Sequence, residues 1–186
     1  MSALKIKICG MRRREDIGYI NRWRPDYAGF ILSGGFKRSA AFDDFRGLRD
    51  MLDVIQLHGD EDAEYIEKLR GICGGAEIWK AVRAKSPDDI ETACKLPADK
   101  LLIDSFSEKQ YGGTGKRVDL EIFDKVKIDK PFFLAGGLTA ENVCEAADRV
   151  NPYGVDFSSS AEVNGYKDEN KIREIIETIN NYLKEG

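Results

Sequence analysis

The chain has 186 residues, 42% of them hydrophobic and 33% charged, with a formal net charge of −4. That balance fits one folded domain, taken here as residues 1–186, and excludes a disordered chain. No basic stripe recurs and no apolar run reaches the ~18 residues of a membrane span, so neither nucleic acid nor a bilayer is an expected partner.

In chain order, strands are predicted at KIKIC (5–9), YAGFIL (27–32), DVIQL (53–57), EIWKAV (77–82), KLLID (100–104), PFFLA (131–135) and GVDFS (154–158). Helical periodicity falls near 13–23, 40–51, 60–72, 86–95, 119–127, 139–149 and 168–184. Asp60, Ser86-Pro87-Asp88-Asp89 and Thr139-Ala140-Glu141 read as helix starts. Arg12-Arg13-Arg14 reads as a solvated loop before the first helix. The strands are mostly apolar without clean alternation, as parallel strands covered on both faces are. Strand–helix alternation therefore predicts a parallel sheet, either doubly wound and open or closed as a barrel.

Polar residues and glycines follow nearly every strand: Cys9-Gly10, Ser33-Gly34-Gly35, His58-Gly59, Asp104-Ser105, Gly136-Gly137 and Ser158-Ser159-Ser160. An open sheet concentrates such residues at one switch point. A TIM-type barrel spreads them round its C-terminal face, so the barrel is favoured. The loops after the last two strands, AGGLTAEN and FSSSAEV, supply exposed amides and hydroxyls suited to a phosphate. The stretch YGGTGKR (111–117) is no P-loop, because Arg117 stands where Ser or Thr is needed; it reads as a flexible flap built on Gly112, Gly113 and Gly115.

The N-terminus MSALKIKICGM has neither the apolar core nor the cleavage site of a signal peptide, so a cytoplasmic location is expected. Cys9, Cys73, Cys94 and Cys144 are scattered and form no CxxC pair, and there is one histidine. Disulfides, zinc and other cofactors are therefore not expected. Cys73, Cys94, Cys144, Trp23 and Trp79 read as packing residues. Cys9 can be read either as one more buried thiol or as a reagent at the mouth of a strand.

The stretches KICGMRRREDI, GFILSGGFKRS, VIQLHGDE, LLIDSFSEKQYGGTGK, LAGGLTAENV and GVDFSSSAEVNGYKDENKI run from end to end of the chain. In that order they resemble phosphoribosylanthranilate isomerase, a (β/α)8-barrel family of tryptophan biosynthesis. The resemblance implies an Amadori rearrangement of a phosphorylated small molecule by general acid–base catalysis. It implies Cys9 as base, Asp104 as acid and Arg38 as partner of the anthranilate carboxylate. It further implies Gly136, Gly137, Ser158 and Ser159 around the phosphate and Asp156 on the sugar. His58 reads equally as a substrate contact or as cavity wall. A thiol hydrolase pairing Cys9 with His58 is a weaker reading.

The chain departs from that pattern at two places. Ser160-Ala161 stands where the family carries glycine and a branched apolar residue. From Arg38 to His58 the chain advances only 20 positions, too few for the family's third strand and its helix. Seven strands are counted instead of eight. The barrel then either closes under strain or stays open, and open strands flanking the gap invite self-association. The alternative to a working isomerase is a barrel that binds a phosphosugar without turning it over.

Overall fold

The computed structural model describes residues 4–31, 53–104 and 120–185. Seven strands form one parallel sheet: β1 (Lys5–Cys9), β2 (Tyr27–Gly29), β3 (Val54–Leu57), β4 (Glu77–Arg83), β5 (Lys100–Asp104), β6 (Phe132–Ala135) and β7 (Gly154–Phe157). Their order is β2-β1-β7-β6-β5-β4-β3. The neighbours are parallel throughout, so each crossover must cover a sheet face, as in a (β/α) barrel. Among the described residues β2 and β3 terminate the sheet, leaving the barrel open between them. The sheet nevertheless curls. The ring of Tyr27 on β2 lies 5.1 Å from that of Trp79 on β4 and 5.5 Å from that of Phe133 on β6.

Strand parity separates two kinds of packing. Ile6 and Ile8 of β1, Leu134 of β6 and Val155 and Phe157 of β7 face outward. There they form the largest core with helix α5 (Glu169–Glu185), through Ile172, Ile175, Ile176 and Ile179. Helices α1 (Arg14–Trp23) and α4 (Val143–Val150) flank it. Helix α2 (Ala63–Arg70) covers β3 and β4, and helix α3 (Pro87–Cys94) covers β5. The opposite parity fills the interior. Trp79 and Phe133 stack at 4.6 Å, with Leu102, Ala135, Val54, Tyr27 and Tyr153 around them. At this level Lys100 pairs with Glu77 at 2.6 Å and lies over the Trp79 and Tyr153 rings. This aromatic layer plugs the bottom of the half-closed barrel.

Several local expectations need correcting. β2 stops at Gly29 rather than residue 32, because β1 ends at Cys9 and the amides of Gly10 and Met11 both turn onto the Gly29 carbonyl (2.8 and 3.0 Å). The segment near 119–127 is a 3-10 helix over Glu121–Lys125, not an α-helix. Helix α4 is capped at Asn142, not at Thr139, since residues 139–142 make a turn in which the Thr139 amide donates to Asn142 Oδ1 (2.8 Å). Helix α2 is capped by Asp62, whose Oδ1 accepts from the Tyr65 amide at 2.8 Å, rather than by Asp60. Ser86 and Asp89 do form the expected capping box of α3. The expected helix at 40–51 lies outside the described residues.

One element was not expected. After β7, a 3-10 turn (Ser159–Ala161) leads into a hairpin of β8 (Glu162–Val163) and β9 (Tyr166–Lys167). Its turn is Asn164-Gly165, both at positive φ (51° and 78°), the geometry that closes a two-residue hairpin. The arginine run is therefore not simply solvated. Arg12 and Arg13 each lie 4.8 Å over the Tyr166 ring, and Arg13 Nη2 donates to the Lys167 carbonyl at 2.8 Å. Among the described residues no helix is long and apolar enough to cross a membrane.

Gly154 tests how tightly the interior is packed. A Cβ there would meet Phe133 Cε1 at 2.4 Å and the Lys5 carbonyl oxygen at 2.8 Å. Gly154→Ala is expected to cost about 1–3 kcal/mol in urea unfolding, the usual penalty of overpacking. An unchanged midpoint would contradict a close-packed β1–β7–β6 interior.

Candidate active site

Inward parity at the C-terminal strand ends places Asp104 (β5), Ala135 (β6) and Asp156 (β7) in one row, with Cys9 (β1) one inward residue beyond the Lys7 that lies opposite Asp156. Cys9, Asp104, Ala135 and Asp156 open into a cavity of ≈ 1070 Å³, together with His58, Gly136, Gly137, Ser158 and Ser159. All the expected site residues that fall among the described ones thus share one cavity. Arg38 and the flap glycines Gly112, Gly113 and Gly115 lie outside the described residues.

Cys9 packs directly against β2. A Cβ on Gly29 would lie 2.9 Å from Cys9 Sγ, so only glycine leaves the thiol its place. Burial pushes the Cys9 thiol above its usual range. The Lys7 ammonium pulls it back, Asp156 adds to the rise, and Lys167 lowers it. All four cysteines carry free thiols. Cys73, Cys94 and Cys144 pack into the outer cores as expected, although Cys73 sits in the turn after α2.

The phosphate-loop candidates are held from behind. Gly136 and Gly137 both take positive φ (95° and 72°), which a side chain at either position would resist. Asn142 Nδ2 donates to the Gly137 carbonyl at 3.0 Å and fixes that turn. On the other loop, Lys167 Nζ donates to the Ser158 carbonyl at 2.8 Å and pairs with Glu162 at 2.8 Å, with both side chains buried.

His58 stands at the end of edge strand β3, its ring in contact with the Gln56 side-chain amide. Burial depresses its pKa and the Lys7 ammonium depresses it further, although Asp156 and Glu61 oppose this. A depressed imidazole is neutral at pH 7. Its ring contact is with Gln56 and not with the Cys9 sulfur, which disfavours a Cys–His hydrolase. Beside it, the Lys80 ammonium donates to the Gly59 and Ala81 carbonyls (2.7 and 3.0 Å) and lies 3.3 Å from Glu61.

Four positions escaped the reading of the sequence: Lys7, Lys167, Asn142 and Gly29. Lys7 was legible in principle, since KIKIC puts Lys5, Lys7 and Cys9 on one strand face. Lys167 was not, because its place depends on the unrecognised hairpin.

Residues 43–178 match the family described as N-(5'-phosphoribosyl)anthranilate (PRA) isomerase. The chain belongs to the N-(5'-phosphoribosyl)anthranilate isomerase family. It is 40% identical over 202 residues to the family's enzyme from Caldanaerobacter subterraneus subsp. tengcongensis, covering 95% of this chain and 98% of that one. That alignment is longer than the 186-residue chain, so the relative carries internal residues with no counterpart here, as a missing β/α unit requires. The phosphoribosyl anthranilate isomerase crystal structure from Thermotoga maritima superposes with a TM-score of 0.74. It is 27% identical and covers 96% of this chain and 99% of that one. Another phosphoribosyl anthranilate isomerase structure, 25% identical with a TM-score of 0.72, covers 96% of this chain and 99% of that one. It is a complex with reduced 1-(o-carboxyphenylamino)-1-deoxyribulose 5-phosphate. Membership of this family makes the chain an isomerase of tryptophan biosynthesis.

The contact between Gly29 and Cys9 gives a direct test. Gly29→Ala is expected to displace the thiol and lower kcat by about 10²-fold, the scale of a 1 Å misplacement. Far-UV circular dichroism should stay unchanged, because the closest clash is with a side-chain sulfur that can turn away.

Proposed function

We propose that this chain converts N-(5'-phosphoribosyl)anthranilate into 1-(2-carboxyphenylamino)-1-deoxyribulose 5-phosphate, with Asp104 as general acid and Cys9 as general base. The reading is carried by one observation: the thiol on β1 and the carboxyl on β5 open into the same cavity, beside the two turns suited to phosphate. Asp104 protonates the ribose ring oxygen, and the ring opens to an iminium. The Cys9 thiolate removes the proton from C2, giving an enolamine. Cys9 returns its proton to C1 while the C2 hydroxyl gives its proton back to the Asp104 carboxylate, which yields the ketone and restores both groups. Protons balance over the sequence, as an isomerisation requires.

Gly136, Gly137, Ser158 and Ser159 hold the phosphate through amides and hydroxyls, at the position where barrels of this type bind one. Asp156 faces the sugar from β7. Neutral His58 contributes a hydrogen bond without a competing charge. Arg38 pairs with the anthranilate carboxylate, where a planar guanidinium matches a planar anion. No cofactor enters these steps.

Turnover is measured by loss of phosphoribosylanthranilate fluorescence. Cys9→Ala and Asp104→Asn are each expected to lower kcat by about 10²–10⁴-fold, the usual contribution of a positioned acid or base. Binding by the intact chain without turnover would instead support the phosphosugar-binding alternative. The pH profile carries a sign. A base works deprotonated, and burial holds the Cys9 thiol above its ordinary range. In the free enzyme kcat/KM should therefore climb as pH rises toward that elevated pKa and fall as pH drops below it. A profile flat from pH 6 to 9 would remove Cys9 as the base.

A further inference from the structure

Lys7 is buried inside the barrel, one inward residue before Cys9 on β1. In the sheet it lies opposite Asp156 on β7 and Tyr27 on β2. Its Nζ meets Asp156 Oδ1 at 2.8 Å, with the two side chains 7% and 9% exposed. Cys9 lies two residues along the same strand on the same inward face, so the ammonium and the sulfur are neighbours. Lys5, on the same face, turns instead to Asp26 at the surface. A buried ion pair contributes little net stability, and well-packed apolar residues commonly do as well. The position of this pair, which includes the candidate sugar contact and shares an inward strand face with the candidate base, points to the site.

We propose that Lys7 is a positioning residue of the active site: its ammonium, paired with the Asp156 carboxylate and next to Cys9 on the inward face of β1, holds that carboxylate toward the sugar and supplies the charge against which the Cys9 thiolate forms. This rests on Cys9 being the base. Before catalysis the Cys9 proton leaves to solvent through the cavity, and Lys7 keeps its own three protons.

The charged and titratable groups around the thiol come from several elements. Lys7 lies on β1, Asp156 on β7, Lys167 on β9 and His58 at the end of β3, with Asp104 of β5 lining the same cavity. Lys7 and Lys167 favour the thiolate and Asp156 opposes it; of these, Lys7 acts most strongly. Lys7 itself stays charged. Burial works against its ammonium, but Asp156 and Cys9 outweigh that and raise its pKa.

The test is the rate of Cys9 alkylation by iodoacetamide against pH, read by mass spectrometry of the Cys9 peptide, alongside kcat and KM. In Lys7→Met the alkylation profile should move upward by at least one pH unit, so that at a fixed pH on the rising limb the rate falls about tenfold or more. kcat should fall by more than KM rises. Lys7→Arg should keep most of the reactivity, and Lys5→Met should match the native chain. If Lys7→Met does not fold because Asp156 is left unpaired, Lys7→Met/Asp156→Asn removes both charges. Its Cys9 should still alkylate more slowly than native Cys9. A native alkylation profile in the folded Lys7 variant, whatever its activity, would overturn the proposal. Full turnover by Cys9→Ala would instead overturn the reading of Cys9 as base, and the alkylation result would stand apart from it.

Discussion

The register of β1 between β2 and β7 is the constraint on which the rest depends. Successive strand residues face opposite sides, so a one-residue slip exchanges the two faces completely. In the observed register Ile6 and Ile8 join the outer core against α5, while Lys7 and Cys9 face the interior. A slipped β1 would turn the Lys7 ammonium into the apolar layer and drive isoleucines into the cavity. Both errors are costly, the first because a buried charge would lose its partner. The apolar and ionic halves of KIKIC therefore enforce the same alignment. That alignment places a thiol beside Asp156 and across from Gly29.

The shortened connection falls where it disturbs this arrangement least. The sheet ends at β2 and β3, and the strands carrying Cys9, Asp156, Gly136 and Asp104 form the uninterrupted run β1-β7-β6-β5. Their relative positions are set by direct ladders, none of which crosses the opening. Among the described site residues, His58 alone follows an edge strand. The interior plug supplies a second tie, since Tyr27 reaches from the β2 edge to the Trp79 and Phe133 rings and holds the sheet in its curl. Burial, then Tyr153, pushes the Tyr27 phenol up to about 12, as expected for a ring with its hydroxyl drawn inside.

Much of this was legible in the sequence, for identifiable reasons. The seven strands are short apolar runs bounded by glycine and polar residues, and their count and approximate bounds follow from that contrast alone. The cavity residues were legible because barrel chemistry gathers where strands end, so Cys9-Gly10 and Asp104 announced themselves by position. What was missed depends on tertiary pairing. Arg12 and Arg13 look solvated until Tyr166 is brought beneath them, and Lys167 looks like one more surface cation until the hairpin folds it inward. Yet Asn164-Gly165 between Val163 and Tyr166 is a strong local hairpin signal, overlooked because the alternation of strand and helix dominated that stretch. Helix starts at Asp62 and Asn142 were misplaced by two or three residues, because several capping residues stood close together and only the turn geometry chooses among them.

Parity also explains how one fold holds both a stable shell and a charged interior. The outer layer is almost wholly apolar, built on Ile, Leu, Val and Phe against amphipathic helices. Charge is admitted mainly on the inner parity, and there each buried lysine has its own carboxylate: Lys7 with Asp156, Lys100 with Glu77. Lys167 follows the same rule from the hairpin, with Glu162. The Lys100 pair sits in the aromatic plug, where it serves packing. The Lys7 pair sits above the plug, in the row of Asp104, where the interior opens and the carboxylate faces the cavity. The same economy of paired charge thus closes the bottom of the barrel and arms its top, and the difference between the two is which layer meets the substrate.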